Sequence, residues 1–224
     1  MRKDEQAEIF IDIETIPSQL PWVRQYISDT IKAPGQMKKV ETIEKWYAEE
    51  REGAVNDAMD KCSFDGAMNH IICIGVAIDH HAPIVFYADE PHKEVKLLKD
   101  FYQYLQDNVI PSGNTFVGHN IVNFDLRIIK QRSIVLGVAP SVNMMFDSKP
   151  WDDMIYDTML RWDSKNFTKL EKIAMALGIT QKKTMQGHEI YGAWKNGLHE
   201  QIAEYCGNDV SMTRDIYRAM AGVC

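Results

Sequence analysis

The longest uninterrupted apolar run in the chain is about eight residues, Ile71 to Ile78 (IICIGVAI). A membrane-spanning helix needs roughly 20, so the run belongs inside a water-soluble fold, where its length suits a strand. Strand signals flank it on both sides. Ala7 to Ile13 (AEIFIDI) reads as a buried strand whose apolar stretch after Glu8 is broken by an acid only at its C-terminal end, and Pro83 to Ala88 (PIVFYA) follows His70 to Asp79 after the short DHHA connection. The last two form a natural hairpin. With 224 residues, 45% of them apolar and 25% charged, a single domain over 1–224 is expected.

The formal charge of −7 disfavours blanket electrostatic binding to duplex nucleic acid, although local lysines or bound cations can still receive a phosphate chain. The start MRKDEQAEIF has no secretory pattern. Cys62, Cys73, Cys206 and Cys224 lack CxxC spacing, so reduced thiols in a cytoplasm are expected, with Cys73 packed in the core.

Between the first strand and the hairpin, about residues 18–62 are polar, with helical patches such as Thr42 to Glu52 and no β pattern, which predicts a helical insertion. Val95, Leu98, Tyr102 and Leu105 mark an amphipathic helix over Lys93 to Val109. A short strand, Thr115 to Val117, runs into Gly118-His119-Asn120. A helix over Phe124 to Leu136 follows, with Leu126, Ile129 and Ile134 on its apolar face. Met154 to Asp157 can form a further strand. Thr168-Lys169-Leu170-Glu171 reads as a capping box opening a helix to Leu177, and Leu198 to Met220 is the last long helix. This order predicts an α/β fold: a central mixed sheet of about five strands, the first three antiparallel, flanked by helices.

Three groups of acidic residues fall at places where a sheet positions chemistry. Asp12 and Glu14 are two residues apart on a strand and project from one face, roughly 7 Å apart at the backbone. Either they share a divalent cation or the strand simply ends there in water. Asp125 opens a helix, where its charge suits the macrodipole, but His119, Asn120 and Asn123 crowd the same connection. Tyr205 and Asp209 are one helical turn apart, with Gly207 between them. They form either a pair aimed at a site or a half-buried tyrosine beside a solvated aspartate. A glycine inside a helix also hints at a close approach by another backbone or by substrate.

The ordered pattern DIET, HNxxNFD, YxxxD closely resembles the DEDDy family of 3′-to-5′ exonucleases, which includes the proofreading domains of B-family DNA polymerases. The likeness extends through HIICIGVAI, FTKLEKIAMALGI, IYGAWKNG and IAEYCGNDVSMTRDIY, and is strongest to stand-alone, polymerase-B-like predicted 3′-5′ exonucleases. It implies a ribonuclease H-like fold. Carried over by position, it implies Asp12 and Glu14 in the first exonuclease motif, Asp125 in the second, and Tyr205 and Asp209 in the third. The sister group has a histidine five residues before the last aspartate, where this chain has Glu204. Phe167-Thr168-Lys169-Leu170 departs from the leucine-aspartate step common in the family.

The resemblance further implies two Mg²⁺ or Mn²⁺ ions held by Asp12, Glu14, Asp125 and Asp209, with Tyr205 orienting the attacking water. It places Thr15 and Ile16 at the terminal nucleotide. Phe124 offers either a stacking face for a base or core packing. His119 and Asn120 bind phosphate or sugar, or else satisfy their own loop. Lys165, Lys169, Lys172, Lys182 and Lys183 either track the strand backbone or form a solvated face. The expected substrate is the 3′ end of single-stranded DNA. RNA 3′ ends remain open, as does a non-catalytic nucleic-acid-binding module. No membrane association is expected, and a polymerase or repair partner in trans is compatible. The insertion is expected to shield one side of the substrate groove.

Overall fold

The structure is a computed structural model that describes residues 6–180 and 184–222; Lys182, Lys183 and Cys224 lie outside the described residues. Strands β1 (Glu8–Pro17), β2 (Asn69–Ile78), β3 (Ile84–Tyr87), β4 (Thr115–Gly118) and β5 (Ile155–Asp157) form one sheet in the order β3-β2-β1-β4-β5. The first three pair antiparallel, while β4 runs parallel to β1 and β5 parallel to β4. The helices are α1 (Pro21–Thr30), α2 (Val40–Glu49), α3 (Arg51–Lys61), α4 (Glu94–Asn108), α5 (Asp125–Leu136), α6 (Thr158–Trp162), α7 (Leu170–Ala176), α8 (Ile190–Lys195) and α9 (His199–Ala221). This is the expected ribonuclease H-like arrangement.

Helices on both faces explain the apolar run: every residue of β2 is buried. Along β1 the two faces separate by the period of two. Ile9, Ile11 and Ile13 pack with Leu98 and Phe101 of α4 and with Leu126 and Ile129 of α5. Phe10 packs on the other face with Val210 of α9. Where that second face continues as Asp12 and Glu14, α9 lies over carboxylates instead of apolar groups. The helix comes closest at Gly75, where a Cβ would stand 2.8 Å from Val210 Cγ2 and 2.9 Å from Cys206 Sγ. Only a residue without a side chain admits it there.

Several expectations are corrected. β1 does not end at its acids but runs on to Pro17, because pairing with β2 resumes after a register shift between Glu14 and Thr15. In α5 the buried face is Leu126, Ile128 and Ile129, while Ile134 is exposed. The first full turn of α5 faces the sheet and the last faces water. α7 begins at Leu170 with Lys169 as its N-cap and no side-chain cap, so the Thr168 box does not form. A capping box forms instead between Gln186 and Glu189. A Cβ at Gly207 would stand 3.4 Å from Val85 Cγ2 and 4.0 Å from Pro83 Cβ, ordinary contacts, so the close approach predicted there occurs at Gly75.

The insertion folds as α1, α2 and α3, with Val23, Ile27, Val55 and Cys62 clustered inside it. Its ends are tied together, since Ser18 N–H donates to Met68 O at 2.9 Å. Beyond its exit lies a buried ionic knot. Arg132 donates Nε and Nη2 to Glu94 Oε1 and Oε2 at 2.8 and 2.7 Å, and Nη1 to Gly66 O at 3.1 Å. Ile71 N–H also donates to Glu94 Oε1, and His70 Nδ1 lies 3.0 Å from Glu94 Oε2. Burial alone would raise the Glu94 carboxyl, but the bonds from His70 and Arg132 outweigh it and hold the group below its ordinary value. Among the described residues, no helix is long and apolar enough to cross a membrane.

Candidate active site

β1 and α9 bring three of the predicted acids together. One carboxylate oxygen each from Asp12, Glu14 and Asp209 lies within 4.8 Å of the others. Asp209 is buried, so the solvated alternative does not apply to it, and Tyr205 is buried one turn earlier on the same helix. Cys206, next to Tyr205, donates its thiol to Asp12 O at 3.5 Å, which helps hold α9 against β1.

The electrostatics are those of like charges gathered in a buried place. Burial pushes the Asp12 carboxyl well above its ordinary value, and Asp209 and Asp125 push it further. Asp12 Oδ2 is buried and receives no hydrogen bond among the described residues. Such an oxygen costs free energy unless a partner satisfies it. The Tyr205 hydroxyl is held far above the usual tyrosine range by burial, then by Glu14, Asp209 and Asp12, and it hydrogen-bonds Asp209. An all-oxygen donor set with an unsatisfied buried carboxylate oxygen suits a hard divalent cation such as Mg²⁺ or Mn²⁺.

Asp125 stands beside this trio, outside the 4.8 Å set. It is buried, its Oδ1 accepts from Ile13 N–H at 3.1 Å, and burial followed by Asp157 holds its pKa well above the ordinary value. A backbone bond thus ties the second motif directly to the strand of the first.

Asp12, Glu14 and Asp209 floor a cleft of about 830 Å³, while Asp125 is not among its lining residues; the volume is within the usual range for ligand sites. One wall comes from the insertion, with Asp57, Asp60, Lys61 and Phe64. Another comes from Phe167, Lys169, Tyr191 and Lys195. Thr15 and Phe124 line the cleft as well. The Thr15 hydroxyl donates to Ser63 O at 2.7 Å, and the Phe124 ring lies 5.9 Å from that of Phe64.

Other predicted residues sit differently. Ile16 is fully buried and packs in the cluster with Ile72, Ile190 and Ile202, so its side chain does not reach the cleft. By the period of two it shares the face of Asp12 and Glu14, and there α8 and α9 cover it. His119 lines the cleft, but its ring nitrogens are within hydrogen-bond distance of Thr158 Oγ1 (3.0 Å) and Thr168 O (2.9 Å). Asn120 is not among the cleft-lining residues. It takes a left-handed backbone with φ of 65°, and its Oδ1 accepts from Asn123 at 3.2 Å, a loop-building role. Of the predicted lysines that are described, only Lys169 lines the cleft; Lys61 and Lys195 join it unforeseen.

Sequence reasoning also missed Asp157. It is fully buried at the end of β5, and Oδ1 accepts backbone N–H groups from Asn120, Met159 and Leu160 at 3.0, 3.1 and 3.2 Å. Oδ2 accepts from Val122 at 3.4 Å. The carboxylate therefore fastens the turn that delivers Asp125 to the start of α6. Burial raises its pKa while these four bonds oppose the rise. Asp157→Ala leaves those donors unmet and is expected to cost about 2–4 kcal/mol of stability, read as a lower urea midpoint at unchanged slope.

Residues 64–222 match the family model described as "Predicted 3'-5' exonuclease related to the exonuclease domain of PolB". That span holds Asp125, Tyr205 and Asp209, while Asp12 and Glu14 precede it. Among solved structures, the family B DNA polymerase from the hyperthermophilic archaeon Pyrobaculum calidifontis is similar, with a TM-score of 0.63 and 15% identity. The match covers 97% of this chain and 25% of the polymerase, and at that identity it speaks for the fold. No curated protein sequence matched. With most of its length in that match and a mixed five-stranded sheet shared with the polymerase, the chain belongs to the predicted 3′-5′ exonucleases related to the exonuclease domain of PolB.

Proposed function

We propose that this protein is a metal-dependent 3′-to-5′ exonuclease of the DEDDy type that removes nucleoside 5′-monophosphates from the 3′ ends of single-stranded DNA. The observation that carries this reading is the convergence of Asp12, Glu14 and Asp209 oxygens within 4.8 Å at the floor of an open cleft. Asp12, Glu14 and Asp209 would hold one cation, and Asp12 with Asp125, directly or through water, a second. Bound there, such ions supply charge stabilisation at the phosphoryl oxygens and lower the pKa of water.

The protein's own groups do the rest. Tyr205 keeps its proton at neutral pH, so it acts as a hydrogen-bond donor that orients water or a phosphate oxygen, and not as a base. The Ile13 N–H bond fixes the Asp125 carboxylate before substrate arrives, and the Cys206 bond to the Asp12 backbone carbonyl holds α9 against β1. That preorganisation reduces the rearrangement needed on binding.

Incubating 3′- and 5′-labelled single-stranded DNA and RNA oligomers with Mg²⁺, Mn²⁺ or EDTA tests the reading. Stepwise, metal-dependent loss from the DNA 3′ end is expected. Shortening of RNA alone would reassign the polymer, and no shortening under any condition would remove the enzymatic reading. Tyr205→Phe is expected to lower kcat by roughly 10²-fold while leaving Mn²⁺ affinity within about twofold. Calorimetry beside single-turnover kinetics separates those two effects.

A further inference from the structure

Two phenylalanines on the cleft are exposed where most large apolar side chains of the fold are buried. Phe64 is 64% exposed and Phe167 is 67% exposed, and both line the cleft that contains the acids. Neither belongs to the acidic motifs.

Phe64 is held firmly despite its exposure. The carbonyl of Ser63 beside it accepts from Thr15 Oγ1 at 2.7 Å and from Asn69 Nδ2 at 2.9 Å. The carbonyl of Phe64 itself accepts from Arg127 Nη2 at 3.0 Å. β1, β2 and α5 therefore pin this short turn from three sides, and the ring lies against Phe124. Phe167 stands edge-on to His119 at 6.5 Å, and His119 is itself within hydrogen-bond distance of Thr158 and Thr168. A solvent-facing ring whose backbone is this constrained is prepared for a flat, apolar partner.

The charge around the two rings says how such a partner lies. On the insertion wall, Asp57 and Asp60 accompany Phe64, so phosphates are repelled there despite Lys61. On the other wall, Lys169 and Lys195 accompany Phe167, with Glu171 the one acid among them. Lys195 lies over the Tyr191 ring at 4.3 Å and Lys169 lies 3.9 Å from Glu171, so both ammonium groups are held near the cleft. A strand that turned its bases to the insertion and its phosphates to the lysines would satisfy both walls.

We propose that Phe64 and Phe167 are specificity-determining residues that stack on unpaired bases at the strand terminus, with Phe64 making the insertion a base-reading wall that admits single strands and rejects paired ends. This rests on the exonuclease reading above and deepens it. Stacking requires free base faces and edges, and a second strand paired to the first would meet α3 and its acidic residues. The preference is for single-strandedness and not for sequence, because every base has a π face.

The test is a double-mutant cycle on the full-length chain, with Ca²⁺ in place of Mg²⁺ to hold turnover. Affinities are measured by fluorescence anisotropy for a 5′-labelled single-stranded 12-mer, for the same oligomer lacking its two 3′-terminal bases, and for the blunt duplex. F64A and F167A are each expected to weaken single-strand binding by roughly 5- to 150-fold, and F64W to restore most of it. Removing the bases is expected to cost wild type the contributions of both rings but to cost F64A only that of Phe167, because the Phe64 contact is already lost. Mn²⁺-dependent thermal stabilisation should be unchanged in both variants, showing an intact fold and acid site. Additive effects of base removal and F64A, or duplex binding as tight as single-strand binding, would overturn the proposal while leaving the nuclease reading in place. A wild type that neither binds nor shortens the oligomer would bring down both.

Discussion

Asp12→Asn is expected to eliminate 3′-end shortening and, at the same time, to raise the melting temperature of the metal-free protein. The two effects share one cause. At neutral pH the Asp12 carboxylate is buried beside Asp209 and Asp125, and all three influences raise its pKa. A carboxyl whose folded pKa exceeds its unfolded value favours the native state below the unfolded value, and loses that advantage as pH rises through the folded one. At pH 7, well above the unfolded value, the carboxyl therefore opposes folding, and a neutral amide of the same shape removes the opposition. A gain of about 1 kcal/mol would appear as a rise of roughly 2–4 °C for a chain of this size. The same amide is a poor cation ligand. Losing the several kcal/mol of charge stabilisation that bound cations supply corresponds to a fall of roughly 10³-fold or more in kcat.

Scanning calorimetry with and without Mn²⁺ checks both halves. Wild type should gain stability with the ion, by about 2.7 kcal/mol at a hundredfold excess over Kd, and Asp12→Asn should gain far less. A variant that is less stable than metal-free wild type, or that still responds fully to Mn²⁺, would contradict the assignment of Asp12.

The second large effect lies away from the cleft. Glu94→Ala is expected to cost about 3–5 kcal/mol, because it leaves the Arg132 guanidinium, 4% exposed, buried without its counter-charge. The pH dependence has a definite sign. The folded pKa of Glu94 is lowered, so its contribution is complete above the unfolded pKa of about 4.3 and is lost as pH falls through the folded value. Wild type should therefore lose stability on acidification below about pH 4.5 more steeply than Glu94→Gln. Denaturation midpoints between pH 3 and 7 for the two proteins measure the difference, and parallel curves would refute the ionic account.

Much of this architecture was legible because it is written in local periodicity. The alternation in β1 and the helical spacing in α4 each appear within a dozen residues, so they predict elements without knowledge of partners. The acidic motifs were legible for a related reason: an i, i+2 pair on a strand and an i, i+4 pair on a helix each share a face by geometry alone. What escaped depends on contacts far apart in the chain. The extension of β1 to Pro17 follows from renewed pairing with β2, and the burial of Ile16 follows from α8 and α9 packing over it. Asp157 draws its importance from donors up to 37 residues away. Phe64, just past the predicted insertion, carries no signal of its own in the sequence until Arg127, 63 residues on, bonds its carbonyl. Ile134 shows the reverse error, an apolar residue at helical spacing that the sheet never reaches.

Because Ser18 and Met68 are bridged by a backbone hydrogen bond, the 49 residues between them leave and re-enter the domain at nearly one point, as a side chapel opens from a nave. Their own apolar cluster, Val23, Ile27, Val55 and Cys62, keeps much of their packing internal. The length and character of that annex are therefore free to drift through evolution, or to be redrawn by an engineer, with little strain on the acids beneath. The cleft wall that carries Phe64 and the strand that carries Asp12 and Glu14 thus belong to separately replaceable parts.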